Sequence, residues 1–148
     1  MGTELGRLNA ALAKCQNAGP ASEEAIKRAE ENLGLLFPPS YRVFLELFGA
    51  SMGSGFDIYG LVATIQESDS PPLWVDVVAS TMQLRPHSLP KNSIQISHDG
   101  CEIGYFLECS EHNKEFEANI IEWGAFHDGA YASELSFLDF VEQQANLQ

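Results

Sequence analysis

From residue 92 to residue 148 the chain carries eleven acidic side chains and a single basic one, Lys114. That shortage of positive charge leaves the C-terminal part at a balance of −10, whereas residues 1–91, with ten acidic and seven basic groups, come to −3. A field of this sign repels phosphate backbones and anionic lipid headgroups, and it draws in cationic partners at rates that salt suppresses. Direct binding of DNA or RNA is therefore not expected. Long apolar runs are also missing. Nothing approaches the roughly 18 residues that a membrane span needs, and the opening Met-Gly-Thr-Glu-Leu-Gly-Arg lacks the apolar core of a secretory signal. Gly2 is followed by Gly6 where a myristoylation motif wants Ser or Thr. The expectation is a cytoplasmic protein without membrane contact. Cysteine is scarce: Cys15, Cys101 and Cys109 are odd in number and scattered, which points to reduced thiols and not to a disulfide framework. No Gly-x-Ser-x-Gly, Walker or dinucleotide motif occurs.

What is present reads as one α+β domain over residues 1–148, with 45% hydrophobic and 20% charged residues. Leu5, Leu8, Leu12 and Cys15 outline a first helix over residues 3–16, ending in a tight linker at Asn17-Ala-Gly-Pro20. Ser22 offers an N-cap to a second helix, with Glu23 and Glu24 in its first turn and Ile26, Ala29 and Leu33 on its buried side. Gly34 then stops that helix, and Pro38 and Pro39 forbid its continuation while starting the next, in which Tyr41, Phe44, Leu45 and Phe48 form a stripe that Gly49 ends. This corner, whose stripe faces inward and whose only charged groups are Arg42 and Glu46, is expected to be scaffold and not site. Ser51 to Gly55 read as a turn, and Phe56 to Leu61 as a short strand with a bend at Gly60. An inserted helix is expected from Ser70 to before Pro86, burying Val75, Val78, Ala79 and Met82. After Leu89 an antiparallel meander is expected: a strand at Ile94 and Ile96, a turn at His98-Asp99-Gly100, a second strand over Ile103 to Cys109, and a third near Asn119 to Trp123. Ser136, with Asp139 three residues on, opens a closing helix that buries Phe137, Phe140 and Val141.

Candidate chemistry is sparse. His98-x2-Cys101 and Cys109-x2-His112 have donors that suit zinc, but an extended segment between the cysteines holds them roughly 25 Å apart at about 3.3 Å per residue, too far for one tetrahedral site. His98, Asp99 and Cys101 lie within four residues, yet catalytic constellations are assembled from distant segments, and a turn explains the same residues. No Asp-x-Asp-x-Asp-Gly loop signals calcium. No metal or cofactor is expected, and no catalytic residue. The acidic set Glu102, Glu108, Glu111, Glu115, Glu117 and Glu122 is either a solvated face or a partner surface, with the near absence of basic residues raising the second reading. Trp123, beside Ile120 and Ile121, is assigned to the core; Trp74 is left open. The residues assigned to partner contact are Asp57, Tyr59, Trp74, Asp99, Glu102, Glu108, Glu111, Glu115, Glu117 and Asp128.

The run Ser22 to Gly34, then Phe37-Pro-Pro-Ser-Tyr-Arg-Val-Phe-Leu45, Gly49 and Gly53-x-Gly55, resembles the opening of SUKH superfamily domains, which include the fungal Smi/Knr cell-wall assembly regulators. The likeness continues at Ile58-Tyr-Gly-Leu61, Leu89-Pro90, Asp99-Gly100, Gly104-Tyr-Phe-Leu107, Ile120-Ile-Glu-Trp123, Ala132 and Ser136-Phe137, covering about residues 20–142 and leaving the first helix outside. It departs at Cys101-Glu102, where relatives often carry more glycine. The resemblance implies N-terminal helices packed on a small antiparallel sheet, no catalytic residues, and in bacteria an immunity role: binding a secreted polymorphic toxin, often a nuclease, and blocking it. An acidic surface that mimics phosphate fits such a cationic partner. The alternative implied by the fungal members is an intracellular regulatory or scaffolding module. A monomer is expected in either case.

Overall fold

The computed structural model describes residues 2–53, 56–61, 76–84, 92–98, 103–109, 117–124 and 131–146. Among these residues five helices and two antiparallel sheets form an α+β fold. Helix α1, Gly2–Leu12, buries Leu8 and Leu12, and Cys15 lies beyond its end. Strand β1, Gln16–Asn17, follows, taking the last residue of the expected helix and the first of the expected linker, and residues 18–20 are irregular as expected. Helix α2, Glu23–Leu33, is built as the residues dictate. The Ser22 hydroxyl accepts from the Ala25 amide at 3.1 Å, Ile26, Ala29 and Leu33 are buried, and Gly34 takes a left-handed φ of 72° with its amide returned to the Glu30 carbonyl. Helix α3, Pro39–Leu47, turns the corner.

The core gathers on α3. Phe37, Tyr41, Phe44 and Phe137 meet with ring centroids 5.2 to 5.8 Å apart, mostly edge to face. Each such side chain, fully withdrawn from water, contributes roughly 1.5–3 kcal/mol. The Tyr41 hydroxyl donates to the Tyr59 carbonyl at 2.6 Å, so even this polar tip is satisfied inside.

The short segment after α3 is more than a turn. Strands β2, Ser51–Met52, and β3, Asp57–Ile58, pair with each other and with β1 in the order β1-β2-β3. The strand expected over Phe56 to Leu61 is thus only two residues long, because Gly60 is pressed against the backbone of Gly49 and paired with Asp76. The second sheet has the order β4-β5-β6-β7, from Ser93–His98, Ile103–Glu108, Asn119–Gly124 and Tyr131–Ser136. Its first three strands follow the expected meander. The fourth was not foreseen, since Ala132, Ser133 and Glu134 carry no β-branched or alternating signal.

Ser93 to Ser97 are buried at every position, not alternately. A register shift between Gln95 and Ser97 against β5 marks a bulge, and the Ile96 carbonyl there accepts from the Tyr59 amide at 2.7 Å. The Gln95 amide donates to Thr81 Oγ1 at 3.0 Å, and the Ser97 hydroxyl to the Asp57 carbonyl at 2.6 Å. The free edge of β4 is therefore covered by β3 and by helix α4.

Helix α4, Val77–Leu84, corrects the expected inserted helix. Its N-cap is Asp76, whose carboxylate accepts from the amides of Val78 and Ala79, and residues 70–75 lie outside the described set. The inward face is Val77, Ser80 and Thr81, while Met82 is 48% exposed and Ala79 is exposed. The cause is the polar strand edge beneath it: Thr81 is needed to meet the Gln95 amide, which turns Ala79 and Met82 outward, while Val78 is half-buried against the core as expected. Helix α5, Phe137–Asn146, starts as expected, with Ser136 Oγ accepting from the Asp139 amide at 3.2 Å and Phe137, Phe140 and Val141 buried.

Helices α1 and α5 are strapped by Arg7, which donates to Asp139 at 2.7 Å and to Glu142 at 2.6 Å. Hydrogen bonding to Arg7 holds both carboxyls below their ordinary values of 3.8 and 4.5. A lowered folded-state value means that the strap stabilises above the ordinary carboxylate range and is lost as pH falls through the lowered values. Both carboxylates are more than a third exposed, so solvent screening keeps the effect below about 1 kcal/mol. The stability gap between the wild type and Arg7→Ala, measured by urea unfolding, should accordingly narrow between about pH 5 and pH 3. A gap that widened in acid would contradict the strap.

Candidate functional site

The Leu33 to Phe37 corner contains a charged group that the sequence pattern conceals. Glu30 occupies a position on the buried stripe of α2, between Ile26 and Leu33, and is only 6% exposed. Its Oε2 accepts from the Phe37 amide at 2.8 Å, and its Oε1 pairs with Arg42 Nη2 at 2.6 Å. Arg42 reaches Glu23 as well, at 3.2 Å. A carboxylate taken from water is tolerable only when charge and lone pairs are both met, and here a cation and a backbone amide meet them. A glutamate inside an apolar i, i+3, i+4, i+7 stripe was the available signal.

Outside the corner, α2 and α3 border an open groove of about 830 Å³. Four carboxylates stand on it, Glu23, Glu30, Glu31 and Glu46, against two cations, Lys27 and Arg42; Leu36 and Val43 supply half-buried apolar surface between them. The expectation that this corner is scaffold alone is therefore incomplete. Its inner face is core, and its outer face is the largest groove among those found on the described residues.

The end of the β5–β6 pair adjoins the same corner. Ser40, in the first turn of α3, donates through its amide and hydroxyl to Glu117 Oε1 at 3.1 and 3.0 Å. Pro38 has no side chain with which to cap α3 and Pro39 has no amide, so a glutamate 77 positions away does the capping and places negative charge at the positive end of the helix dipole. Glu117 is thus engaged within the molecule. Replacing it by Ala should cost about 1 kcal/mol, as for lost N-caps, with Glu117→Gln intermediate in a denaturant titration. No loss in Glu117→Ala would mean that the contact is ornamental.

Glu108 ends β5, exposed and in register with Ser93. The Cys109 thiol next to it is buried and pushed well up, by desolvation first and then by the negative charges of Glu30 and Glu108. Both carboxylates raise this thiol, and Glu117, through Ser40, ties the end of the sheet to α3 beside Pro39, which lines the groove. The same environment keeps Cys109 protonated and unsuited to nucleophilic attack. Cys15 is half-buried and likewise raised, by burial and then by Asp57.

Of the residues assigned to partner contact, Glu108 stands exposed at the end of β5, and Glu117 is brought to this corner. Asp57 and Tyr59 are not. Asp57 sits half-buried on β3 with its carboxyl raised by burial, and Tyr59 is a core residue, 8% exposed, its phenol raised by burial and by Asp57. Tyr59 was assigned outward because aromatic residues anchor interfaces; its backbone ties to Tyr41 and Ile96 fix it inward instead. Trp74, Asp99, Glu102, Glu111, Glu115 and Asp128 lie outside the described residues, as do Cys101, His112 and the side chain of Trp123. Among the described residues no group of three or more His, Cys, Asp and Glu is placed to hold a metal, and no helix is long and apolar enough to cross a membrane.

One comparison bears on this arrangement. A family model described as SMI1-KNR4 cell-wall, SUKH_5, matches residues 7–146. The match takes in most of α1, which the sequence resemblance left outside. The structure agrees with the wider boundary, because α1 buries Leu8 and Leu12 in the common core and is strapped to α5 through Arg7.

Proposed function

We propose that this chain, which belongs to the SMI1-KNR4 cell-wall family, is a non-enzymatic immunity protein that binds and neutralises a cognate, cationic toxin domain through an acidic surface. The observation that carries the reading is the excess of carboxylates on the α2–α3 groove, at Glu23, Glu30, Glu31 and Glu46 against Lys27 and Arg42, in a chain of net charge −13. Such a surface presents to a nuclease the charge of its own substrate. It raises the encounter rate and covers the site that would hold phosphate. The reading assigns no reaction to the chain, and the raised thiols of Cys15 and Cys109 support a binding role over nucleophilic chemistry.

The test is capture of the toxin domain encoded beside the gene, with co-expression to score rescue of growth. Expected are a nanomolar Kd and an association rate that falls by about tenfold or more between low and high salt. Binding unaffected by salt, or growth arrest that persists on co-expression, contradicts the proposal. The second reading, an intracellular regulatory or scaffolding module, draws on the cell-wall description of the family. Micromolar binding to several partners would favour it, whereas a single nanomolar target favours immunity.

A further inference from the structure

We infer that the groove between α2 and α3 is the docking site for a basic, amphipathic segment of the protein partner, with an apolar side chain against Leu36 and Val43 and a flanking Lys or Arg between Glu31 and Glu46. The inference rests on the immunity reading for the identity of the partner, but its chemistry comes from the groove. Arg42 is already committed to Glu30 and Glu23, so its charge is cancelled within the fold. Lys27 stands four residues from both Glu23 and Glu31, one helical turn each way. Neither Glu31 nor Glu46 is in an ion pair among the described residues, and both are exposed. The rim therefore offers two carboxylates for an incoming cation.

The surface between them is apolar. Leu36 and Val43 are half-buried in the groove wall. Leu47, one turn beyond Val43 on α3 and just outside the groove lining, is 38% exposed, and among the described residues Met82 on α4 is the other exposed large hydrophobic. A purely ionic surface would not carry Leu36 and Val43 between its charges, and a purely apolar one would not be rimmed by glutamate. Charge complementarity selects a cationic occupant, and the apolar wall with its open shape selects a protein segment over a small cation. The negative rim argues against nucleic acid. By contrast, the groove beside α1 and α5, of about 600 Å³, has four alanines in its lining and a single carboxylate, Glu142, already paired with Arg7, so it offers nothing to a cationic segment.

The experiment uses the full chain, labelled for amide NMR, with two synthetic peptides of equal positive charge: one alternating Leu and Lys on an amphipathic helical pattern, the other with Ser in place of Leu. The Leu/Lys peptide should shift the amides of Gly34, Leu36, Val43 and Leu47 and bind about tenfold more tightly than the Ser/Lys peptide. The double variant Glu31→Lys with Glu46→Lys, both at exposed helix positions where Lys is a good helix former, should weaken it by about tenfold or more, while Gln143→Lys, at an exposed position of α5 outside the groove, changes it less than about twofold. Shifts centred on β4, β5 and β6, equal affinity for the two peptides, or indifference to the double variant would each overturn the assignment. The neighbouring toxin domain separates this inference from the reading it rests on. If that domain binds the wild type and the double variant equally well, the groove is not the site although immunity stands. If the peptide results hold while the toxin domain does not bind, the groove stands as a site for basic amphipathic segments and immunity falls.

Discussion

Arg42→Ala should lower unfolding stability by about 3 kcal/mol, because it strands the buried carboxylate of Glu30. The asymmetry of the pair decides the size of the effect. Arg42 keeps about a fifth of its side chain in water and has Glu23 as a second partner, whereas among the described residues the Glu30 carboxylate has the Phe37 amide besides Arg42. Removing the arginine therefore leaves a desolvated charge, and removing the charge with Glu30→Gln leaves an arginine that can still pair with Glu23. Glu30→Gln should cost less, about 1–2 kcal/mol, since the amide oxygen can still accept from Phe37. Denaturant midpoints of the two variants check this order. If Glu30→Gln is the more damaging, the carboxylate is not the costly member and the account fails. Because Arg42 lies in the groove wall, its loss also makes the groove more negative, so partner binding by molecules that remain folded should not fall in parallel with stability.

How far the sequence could be read depends on whether a feature is local. Helices α2 and α3 were legible because their signals lie within the elements themselves: Ser22 at one end, Gly34 at the other, the Pro38-Pro39 start, and an apolar period that matches 3.6 residues. Strand β7 was not, because Ala132 to Glu134 acquire strand geometry from pairing with Glu122 and its neighbours on β6 and not from their own preference. The face of α4 was misread for a related reason. Periodicity assumes an apolar core beneath a helix, and α4 covers a polar strand edge. The negative excess visible in the composition lies in residues 92–148, whereas the groove carboxylates Glu23, Glu30, Glu31 and Glu46 lie in the more nearly balanced residues 1–91. Glu117 became a helix cap only through a contact across 77 positions, and the groove exists only because two helices meet at the corner. The acidic set singled out in the sequence reaches this corner through Glu117, and the carboxylates of the groove itself required the fold.

Gly60→Ala should be the most damaging single substitution considered, with a loss above about 4 kcal/mol or failure to fold. A Cβ at Gly60 would overlap the carbonyl oxygen of Gly49 and come within 3.0 Å of Leu45 Cδ2. Neither obstacle can retreat cheaply. The Gly49 carbonyl accepts from the Leu61 amide at 2.9 Å, and Leu45 is fully buried. The Gly60 carbonyl in turn accepts from the Val77 amide, so displacing this backbone disturbs the start of α4 together with the end of α3. Gly34 provides the matched comparison, because it has the opposite problem: its φ of 72° is unfavourable for alanine, but nothing lies within 4 Å of its Cβ position. Gly34→Ala should therefore lose only the conformational cost of the left-handed region, about 1–2 kcal/mol. Thermal or urea unfolding of the two variants separates space from backbone conformation as the reason for glycine. Equal losses would show that the Gly49–Gly60 contact can relax, and that the junction of α3, β3 and α4 is softer than its hydrogen bonds imply.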